Sequence, residues 1–189
     1  MVNIRQKKIK TPLTKEIITS LHAGDMVLLS GEIYTARDVA HRRLFESLRR
    51  GEKLPVDLSR VVLFYAAPTP APPKRIMGSI GPTTSCRMDY FTPTFIEAGL
   101  RAMIGKGNRS PEVVEYIKNH NAVYFGATGG IAALLSQCVK KVEIVAYDDL
   151  GPEAIRKLTV KDFPLVVIND FQGCDLYDSA QRKWHISSI

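Results

Sequence analysis

The chain has 189 residues, of which 45% are hydrophobic and 24% are charged, and its formal net charge at pH 7 is +7. This length and composition predict one domain with a substantial core rather than two domains, with a charged fraction that is ordinary for a globular surface. No apolar run reaches the ~18 residues that a membrane-spanning helix needs, so we expect no membrane association.

The positive charge is concentrated at the N-terminus. Residues 1–10 carry Arg5, Lys7, Lys8 and Lys10 and no acid, so this stretch holds four of the seven net charges. We interpret it as a basic tail, either solvated and flexible or packed on a partner. No apolar segment follows it, so we do not expect a secretory signal. A nucleic-acid-binding protein would interleave basic and aromatic residues across a folded face, and we therefore disfavour a nucleic-acid partner.

The first predicted elements are a short helix over residues 14–22 and a strand over residues 26–29. Thr35 and Asp38 then have the spacing of a capping box, a hydroxyl followed three residues later by a carboxylate. A helix is predicted from there to about Arg50. Its apolar stripe, with the spacing of one helix face, is His41, Leu44, Phe45 and Leu48.

The second half of the chain alternates strand and helix patterns. Thr92 and Pro93 predict a helix start, with the hydroxyl at the N-cap and the proline at the first helical position. Strands are predicted over residues 61–67, 122–125, 142–147 and 165–168, and helices over residues 111–119 and 131–138. This alternation predicts an α/β domain spanning residues 1–189.

The cysteines are too few and too scattered for a disulfide framework or a metal site. No C-x-x-C spacing joins Cys86, Cys138 and Cys174, and we interpret each as a small buried apolar residue in a protein of the reducing cytoplasm. A four-iron cluster needs three or four converging thiolates. No paired spacing occurs among the histidines either, which are His22, His41, His120 and His185. We therefore expect no metal site in this chain.

Two loops could receive an anion. The glycine loop over residues 126–130 joins a strand to a helix, but it lacks the lysine and hydroxyl of a phosphate loop, so we favour a tight turn over an anion site there. In the segment over residues 81–89, Thr83 and Thr84 precede Ser85 and Arg87. Turn chemistry explains its Gly-Pro start and Ser85 could cap a helix, yet the threonines and the arginine together suit a carboxylate ligand.

Three cations stand in three separate loops. Arg37 lies in a first helical turn, where the helix dipole disfavours a cation, and Lys106 lies between two glycines, where a ligand could approach the backbone closely. Each has a simpler explanation, a solvated arginine or an ordinary charged turn. Together with Arg87 they would suit a small dianion.

Several co-linear segments resemble one known family. S-G-E-I-Y-T-A-R-D-V-A-H-R-R at residues 30–43 resembles its T-A-R-D-x-A-H stretch, and G-S-I-G-P-T-T-S-C-R-M-D at 78–89 resembles its G-P-T-T-S-x-R-M-D segment. Residues 90–93, M-I-G-K-G-N at 103–108 and Y-F-G-A-T-G-G at 124–130 continue the likeness. The family is the β subunit, or the equivalent C-terminal domain, of class I iron–sulfur-dependent fumarases and L-tartrate dehydratases.

The resemblance implies a single swivelling β/β/α-type domain and a heteromeric enzyme. A larger α-type partner, in a heterodimer or heterotetramer, would bind a 4Fe–4S cluster, and an open iron there would act as a Lewis acid on a small dicarboxylate. The implied reaction is hydration of fumarate to L-malate or dehydration of tartrate to oxaloacetate.

The resemblance also implies roles for residues of this chain. Arg37, Arg87 and Lys106 would face the substrate, and Thr83 would be the catalytic base, with Thr84 a substrate contact and the less favoured base. Asp38 has a lesser catalytic claim, because a capping box already accounts for its carboxylate. A threonine needs an activating group, which Asp89 or the partner would supply.

Two other functions remain open on the residues alone. One is a stand-alone α/β module that binds carboxylates or other anions, and the other is a basic domain associated with nucleic acid. An adjacent, larger cysteine-containing subunit would favour the enzyme, whereas salt-dependent binding to unspecific duplex would favour the nucleic-acid domain.

Overall fold

A computed structural model of the protein describes residues 6–184. Within this range the strands are β1 Gln6–Lys10, β2 Met26–Thr35, β3 Val62–Phe64, β4 Ala102–Gly105, β5 Val123–Gly126, β6 Val139–Ala146 and β7 Ile155–Asn169. The helices are α1 Lys15–Thr19, α2 Asp38–Arg49, α3 Thr92–Glu97, α4 Pro111–Asn119, α5 Ala132–Gln137 and α6 Leu176–Trp184. Short 3₁₀ turns are formed by Leu58–Arg60, Ser85–Met88 and Asp148–Glu153.

The strands form one sheet that closes into a small barrel. Their order is β1-β2-β3-β4-β5-β7-β6, and β7 also pairs with β2, so that β2, β3, β4, β5 and β7 make a ring. Neighbours from β2 to β5 run parallel, whereas β7 is antiparallel to both β2 and β5. Closure removes the free edges of these five strands.

The antiparallel pairing of the long strands β2 and β7 is irregular near Gly31. Their register shifts between Leu29 and Gly31, and Gly31 has a φ of +110°. A side chain at Gly31 would collide with the Thr11 hydroxyl, so only glycine fits at this position. As a result, β2 pairs with β1 through its first half and with β3 at its carboxyl end.

The hydrophobic core lies on both faces of the parallel strands. In β3, Val62 and Phe64 belong to the cluster inside the barrel, where Phe64 packs edge-on against Phe163 at 5.6 Å between ring centroids. The intervening Leu63 and the following Tyr65 belong to a second cluster, between the barrel and the helices. Burial of both faces explains why these strands are continuous apolar runs.

The α/β class is confirmed, with a barrel and helices in one compact domain. The predicted stripe of α2 is also confirmed, since His41 and Leu44 are fully buried and Phe45 and Leu48 pack against the second cluster. None of the helices within residues 6–184 is long and apolar enough to cross a membrane.

The capping box is a wrong prediction. Thr35 is the last residue of β2, and its buried hydroxyl accepts the Arg156 backbone N–H at 3.1 Å and lies 3.5 Å from the Ala154 carbonyl oxygen. The helix N-cap is Arg37, whose side chain cannot accept a hydrogen bond from the helix. The Asp38 carboxylate is therefore free of capping duty.

The basic tail is a wrong prediction over residues 6–10. These residues form β1, which pairs in parallel with β2, and Lys7 donates through Nζ to Asp25 at 2.7 Å. Residues 1–5, with Arg5, and residues 185–189, with His185, lie outside the described range.

Two further differences concern the bounds of elements. Thr92 lies inside the first turn of α3 rather than at its N-cap, because its hydroxyl donates to the Met88 carbonyl at 2.8 Å. The strand predicted over residues 165–168 is the end of the much longer β7.

Candidate active site

The candidate residues gather at the carboxyl edge of the parallel strands. Arg37 and Asp38 follow β2, Lys106 follows β4, and the glycine loop continues from the end of β5. In sheets of this kind the loops at the carboxyl ends meet at one edge, which is where ligands bind.

The segment over residues 78–89, here called the hydroxyl segment, lies between the ends of β3 and β4. The Thr83 N–H donates to the Tyr65 carbonyl at 2.6 Å, the Lys106 N–H donates to the Thr83 carbonyl at 3.3 Å, and the Ser85 N–H donates to the Lys106 carbonyl at 2.8 Å. The backbone of Thr83 and Thr84 therefore runs beside Lys106. Both hydrogen bonds that hold Thr83 are backbone bonds, which leaves its side chain out of the framework.

Gly105, the last residue of β4, lets this strand and the hydroxyl segment approach closely. A side chain there would collide with the Ser85 hydroxyl. That hydroxyl lies 2.8 Å from the Tyr124 hydroxyl, which in turn donates to the Gly107 carbonyl at 2.9 Å, and burial raises the pKa of Tyr124. Ser85 is thus a fully buried structural hydroxyl rather than a helix cap.

A buried ion pair fastens the end of the hydroxyl segment. The Arg109 side chain is fully buried and donates through Nε to Asp89 at 2.7 Å and through Nη2 to the Thr92 hydroxyl at 2.6 Å. The other Asp89 oxygen accepts the Ser110 N–H at 2.7 Å. Both carboxylate oxygens of Asp89 are thus engaged, by Arg109 and by Ser110, and the role of Asp89 as the activating group for Thr83 stays a prediction.

Arg109 is the residue that the sequence reading missed. Besides the ion pair, its guanidinium lies over the rings of Tyr65 and Tyr124, at 5.3 and 5.0 Å from their centroids. No local pattern in the sequence identifies Arg109, because its carboxylate partner Asp89 lies twenty residues earlier.

Asp38 joins the two arginines. Its carboxylate accepts from Arg87 and, at 3.4 Å, from Arg37 Nε. Glu153, from the turn before β7, lies 3.7 Å from the same Arg37 nitrogen. The structure therefore brings Arg37, Asp38 and Arg87 into direct contact, although Arg87 keeps about half of its side chain exposed.

Lys106 stands apart from that cluster, on the side of the glycine loop. It is exposed, and a side chain at Gly129 would lie 3.7 Å from its Cδ atom. Thr83 and Thr84 connect the two parts, since Thr84 pairs with Lys106 and immediately precedes the turn that carries Arg87.

Several candidate side chains are open to solvent, since Thr84 and Lys106 are exposed and Arg87 keeps about half of its side chain exposed. Five clefts of about 390–510 Å³ in residues 6–184 are lined by other residues.

The prediction of three buried cysteines is wrong for two of them. Cys86 and Cys174 are exposed, and Cys138 is partly buried, where burial raises the pKa of its thiol. No group of three or more His, Cys, Asp or Glu side chains within residues 6–184 could hold a metal ion. These residues do not fit a four-iron cluster.

His41 is buried behind Arg37. Its Nδ1 lies 3.0 Å from the Arg37 carbonyl oxygen and therefore carries the proton, while Nε2 has no partner in residues 6–184. The ring packs among Tyr65, Phe91 and Phe95. Loss of solvation lowers the pKa of His41 from 6.5 to about 4, so the ring is neutral at pH 7.

Comparison with known proteins shows the family of this chain. The Fumarase C-terminus family matches residues 2–180, and the chain belongs to that family. It is 41% identical over 177 residues to "Putative L(+)-tartrate dehydratase subunit beta" of Methanocaldococcus jannaschii, covering 90% of this chain and 91% of that protein.

Two longer relatives are fumarate hydratases. The chain is 39% identical over 172 residues to the aerobic class I fumarate hydratase of Escherichia coli, and 36% identical over 173 residues to fumarate hydratase 2 of Leishmania major. These matches cover 88% and 89% of this chain but only 31% and 30% of the relatives. The chain thus spans about a third of their length.

We expect Arg109→Met to lower the free energy of unfolding by about 3–5 kcal/mol, because it leaves the Asp89 carboxylate without its buried counterion. Denaturant unfolding followed by circular dichroism measures this. Arg50→Met is the matched control, since it breaks the exposed ion pair with Glu52 and should change stability little. Equal effects of the two substitutions would contradict the structural role of Arg109.

A second expectation concerns pH. Because the pKa of His41 is lower in the folded chain, the unfolded chain binds the extra proton as the pH falls below 6.5. Stability should therefore fall between pH 6.5 and about 4, by up to about 3 kcal/mol. His41→Leu should remove this part of the pH dependence when denaturant unfolding is compared from pH 7 to pH 4.5. His120→Asn changes the histidine at the C-cap of α4, whose Nδ1 also contacts a backbone carbonyl, and should retain the dependence.

Proposed function

We propose that this chain is the β subunit of an iron–sulfur-dependent hydro-lyase that hydrates fumarate to L-malate or dehydrates L-tartrate to oxaloacetate. Support comes from the family and from the lengths of the relatives. The β-subunit relative matches over nearly its whole length, whereas the fumarate hydratases are about three times longer than the region they share with this chain. A larger α subunit would supply the remaining part, which the longer relatives carry in the same polypeptide.

The observation that carries the proposal is the open cationic surface at the strand ends. Arg37 and Arg87 meet there at Asp38, and Lys106 lies beside Thr84. Arginine grips carboxylates through paired N–H groups, and three cations suit a substrate with two carboxylates. Because the surface is open, the α subunit would cover the substrate from the other side.

The division of labour follows from the side chains present. We place the four-iron cluster on the α subunit, since the described residues offer no ligand set for it. On this chain, Arg37, Arg87 and Lys106 would stabilise the negative charge that develops when a proton leaves the carbon beside a carboxylate. Asp38 is occupied by two arginines, so we assign it the positioning of those arginines rather than proton transfer.

Thr83 remains our candidate for the base, with Thr84 as the second choice. Thr83 is almost buried and is held by its backbone between Tyr65 and Lys106, so its hydroxyl is positioned without being committed to the framework. A hydroxyl needs an activating group. Since Asp89 is engaged by Arg109 and Ser110, we expect that group to come from Lys106 or from the α subunit. We also infer a cytoplasmic location, in keeping with three unpaired thiols.

Anaerobic reconstitution with the larger subunit tests the function. The pair should interconvert fumarate and L-malate or convert L-tartrate to oxaloacetate, and each substrate is assayed beside the other. Neither subunit should be active alone. Tight binding of malate or tartrate by this chain alone, with no turnover by the pair, would favour the stand-alone anion-binding module instead.

The sharpest expectation for the reaction is the effect of Thr83→Val. The substitution keeps the shape and both backbone hydrogen bonds but removes the hydroxyl, so subunit assembly should survive while turnover falls about a hundredfold or more. The measurement is kcat together with proton exchange at the carbon beside the carboxylate, in heavy water. Thr83→Ser should retain more activity than the valine variant.

Thr84→Val is the control, because Thr84 is exposed one residue further along the same segment. It should reduce turnover much less. Rapid proton exchange by a fully assembled Thr83→Val enzyme would remove Thr83 as the base and move the assignment to Thr84 or to the α subunit.

A further inference from the structure

Glu153 contacts the candidate site from a part of the chain that none of the site motifs includes. It ends the Asp148–Glu153 turn that precedes β7, more than a hundred residues after Arg37. One of its carboxylate oxygens accepts the Val39 N–H at 2.8 Å, and the other lies 3.7 Å from Arg37 Nε. A single side chain thus touches both the start of α2 and its arginine.

Both contacts meet a need that α2 itself leaves open. The N-cap residue is Arg37, which offers the first-turn N–H groups no acceptor, and its guanidinium lies at the positive end of the helix dipole. The Glu153 carboxylate supplies the acceptor and the opposing charge together. It is largely covered, with 21% of its side chain exposed, so solvent screens it less than a surface carboxylate.

The segment that carries Glu153 is itself fastened to α2. Asp149 accepts from Arg43 at 2.8 Å, and the Arg156 guanidinium donates to the Gly151 and Pro152 carbonyls at 2.7 and 2.8 Å. These bonds fix the turn on both sides of Glu153, so that its carboxylate has a defined place beside the helix.

The charges then alternate in one row, from Glu153 to Arg37 to Asp38 to Arg87. Asp38 serves two arginines at once, and Arg87 makes the closer contact with it. Without Glu153, Arg37 would depend on the Asp38 carboxylate, which Arg87 already contacts more closely.

We propose that Glu153 is a positioning residue that holds the Arg37 guanidinium in place for a substrate carboxylate. This inference rests on the proposed function, in which Arg37 contacts the substrate. Glu153 itself does not touch the substrate in this proposal. Its influence on catalysis therefore passes through Arg37, and this dependence can be measured.

The first test is Glu153→Gln in the reconstituted two-subunit enzyme, with L-malate and L-tartrate as the substrates. The glutamine oxygen still accepts the Val39 N–H, so the melting temperature should stay close to that of the wild type. Loss of the charge should raise KM about fivefold and leave kcat within about twofold. Asp149→Asn is the matched control, because it loosens the same turn without touching Arg37, and its kinetics should match the wild type.

The second test is a double-mutant cycle with Arg37→Ala. If Glu153 acts through Arg37, Glu153→Gln should have no further effect on KM once Arg37 is gone. Effects that multiply in the double variant, or an unchanged KM in Glu153→Gln alone, would overturn the positioning role. A lower KM would overturn it as well, since a carboxylate that merely competes with the substrate weakens binding.

The cycle also separates this inference from the function beneath it. An inactive wild-type pair, or an Arg37→Ala enzyme with wild-type kinetics, would overturn the proposed role of the site. An active pair that is impaired by Arg37→Ala but shows multiplying effects would overturn the role of Glu153 alone.

Discussion

The buried guanidinium of Arg109 is the constraint on which the site depends. It binds Asp89 and Thr92 on one side and stacks over two tyrosines of the parallel strands on the other. The loop after β4 and the end of the hydroxyl segment are thereby joined in the protein interior. Thr83, Thr84 and Arg87 lie on that segment. The buried ion pair between Arg109 and Asp89 therefore helps to hold them near Lys106.

The barrel supplies a rigid edge, and the polar residues stand on it in two groups. Backbone bonds place the threonines beside Lys106, while shared carboxylates place the arginines beside one another. Backbone hydrogen bonds hold the first group, and ion pairs between side chains hold the second. A ligand that contacts both groups would touch a part held by backbone hydrogen bonds and a part held by ion pairs. A charged ligand could change the ion pairs of the second part.

Local sequence patterns predicted the elements whose bonds are local. The helix over residues 111–119 begins where Ser110 caps it, and the apolar stripe of α2 is buried as its spacing predicts. The candidate residues could be selected because their types suit an anion and their segments resemble one family.

The rest could not be predicted because it depends on bonds between distant segments. Thr35 has the spacing of an N-cap residue, yet its hydroxyl accepts a hydrogen bond from the Arg156 backbone N–H in β7. The stretch over residues 6–10 contains one apolar residue, Ile9, and becomes a strand only because the edge of β2 receives it. Arg109 and Glu153 carry no local signal, since their partners lie 20 and 114 residues away.

The sharing of Asp38 by two arginines has a practical consequence for anyone who handles this protein. A free carboxylate in solution presents the same group that Asp38 presents, and about half of the Arg87 side chain is open to it. We therefore expect citrate, acetate and succinate buffers to compete with Asp38 for Arg87, and to do so more strongly at low ionic strength. In a crystallisation or assay medium without such anions, Arg37 and Arg87 keep Asp38 as their shared carboxylate partner.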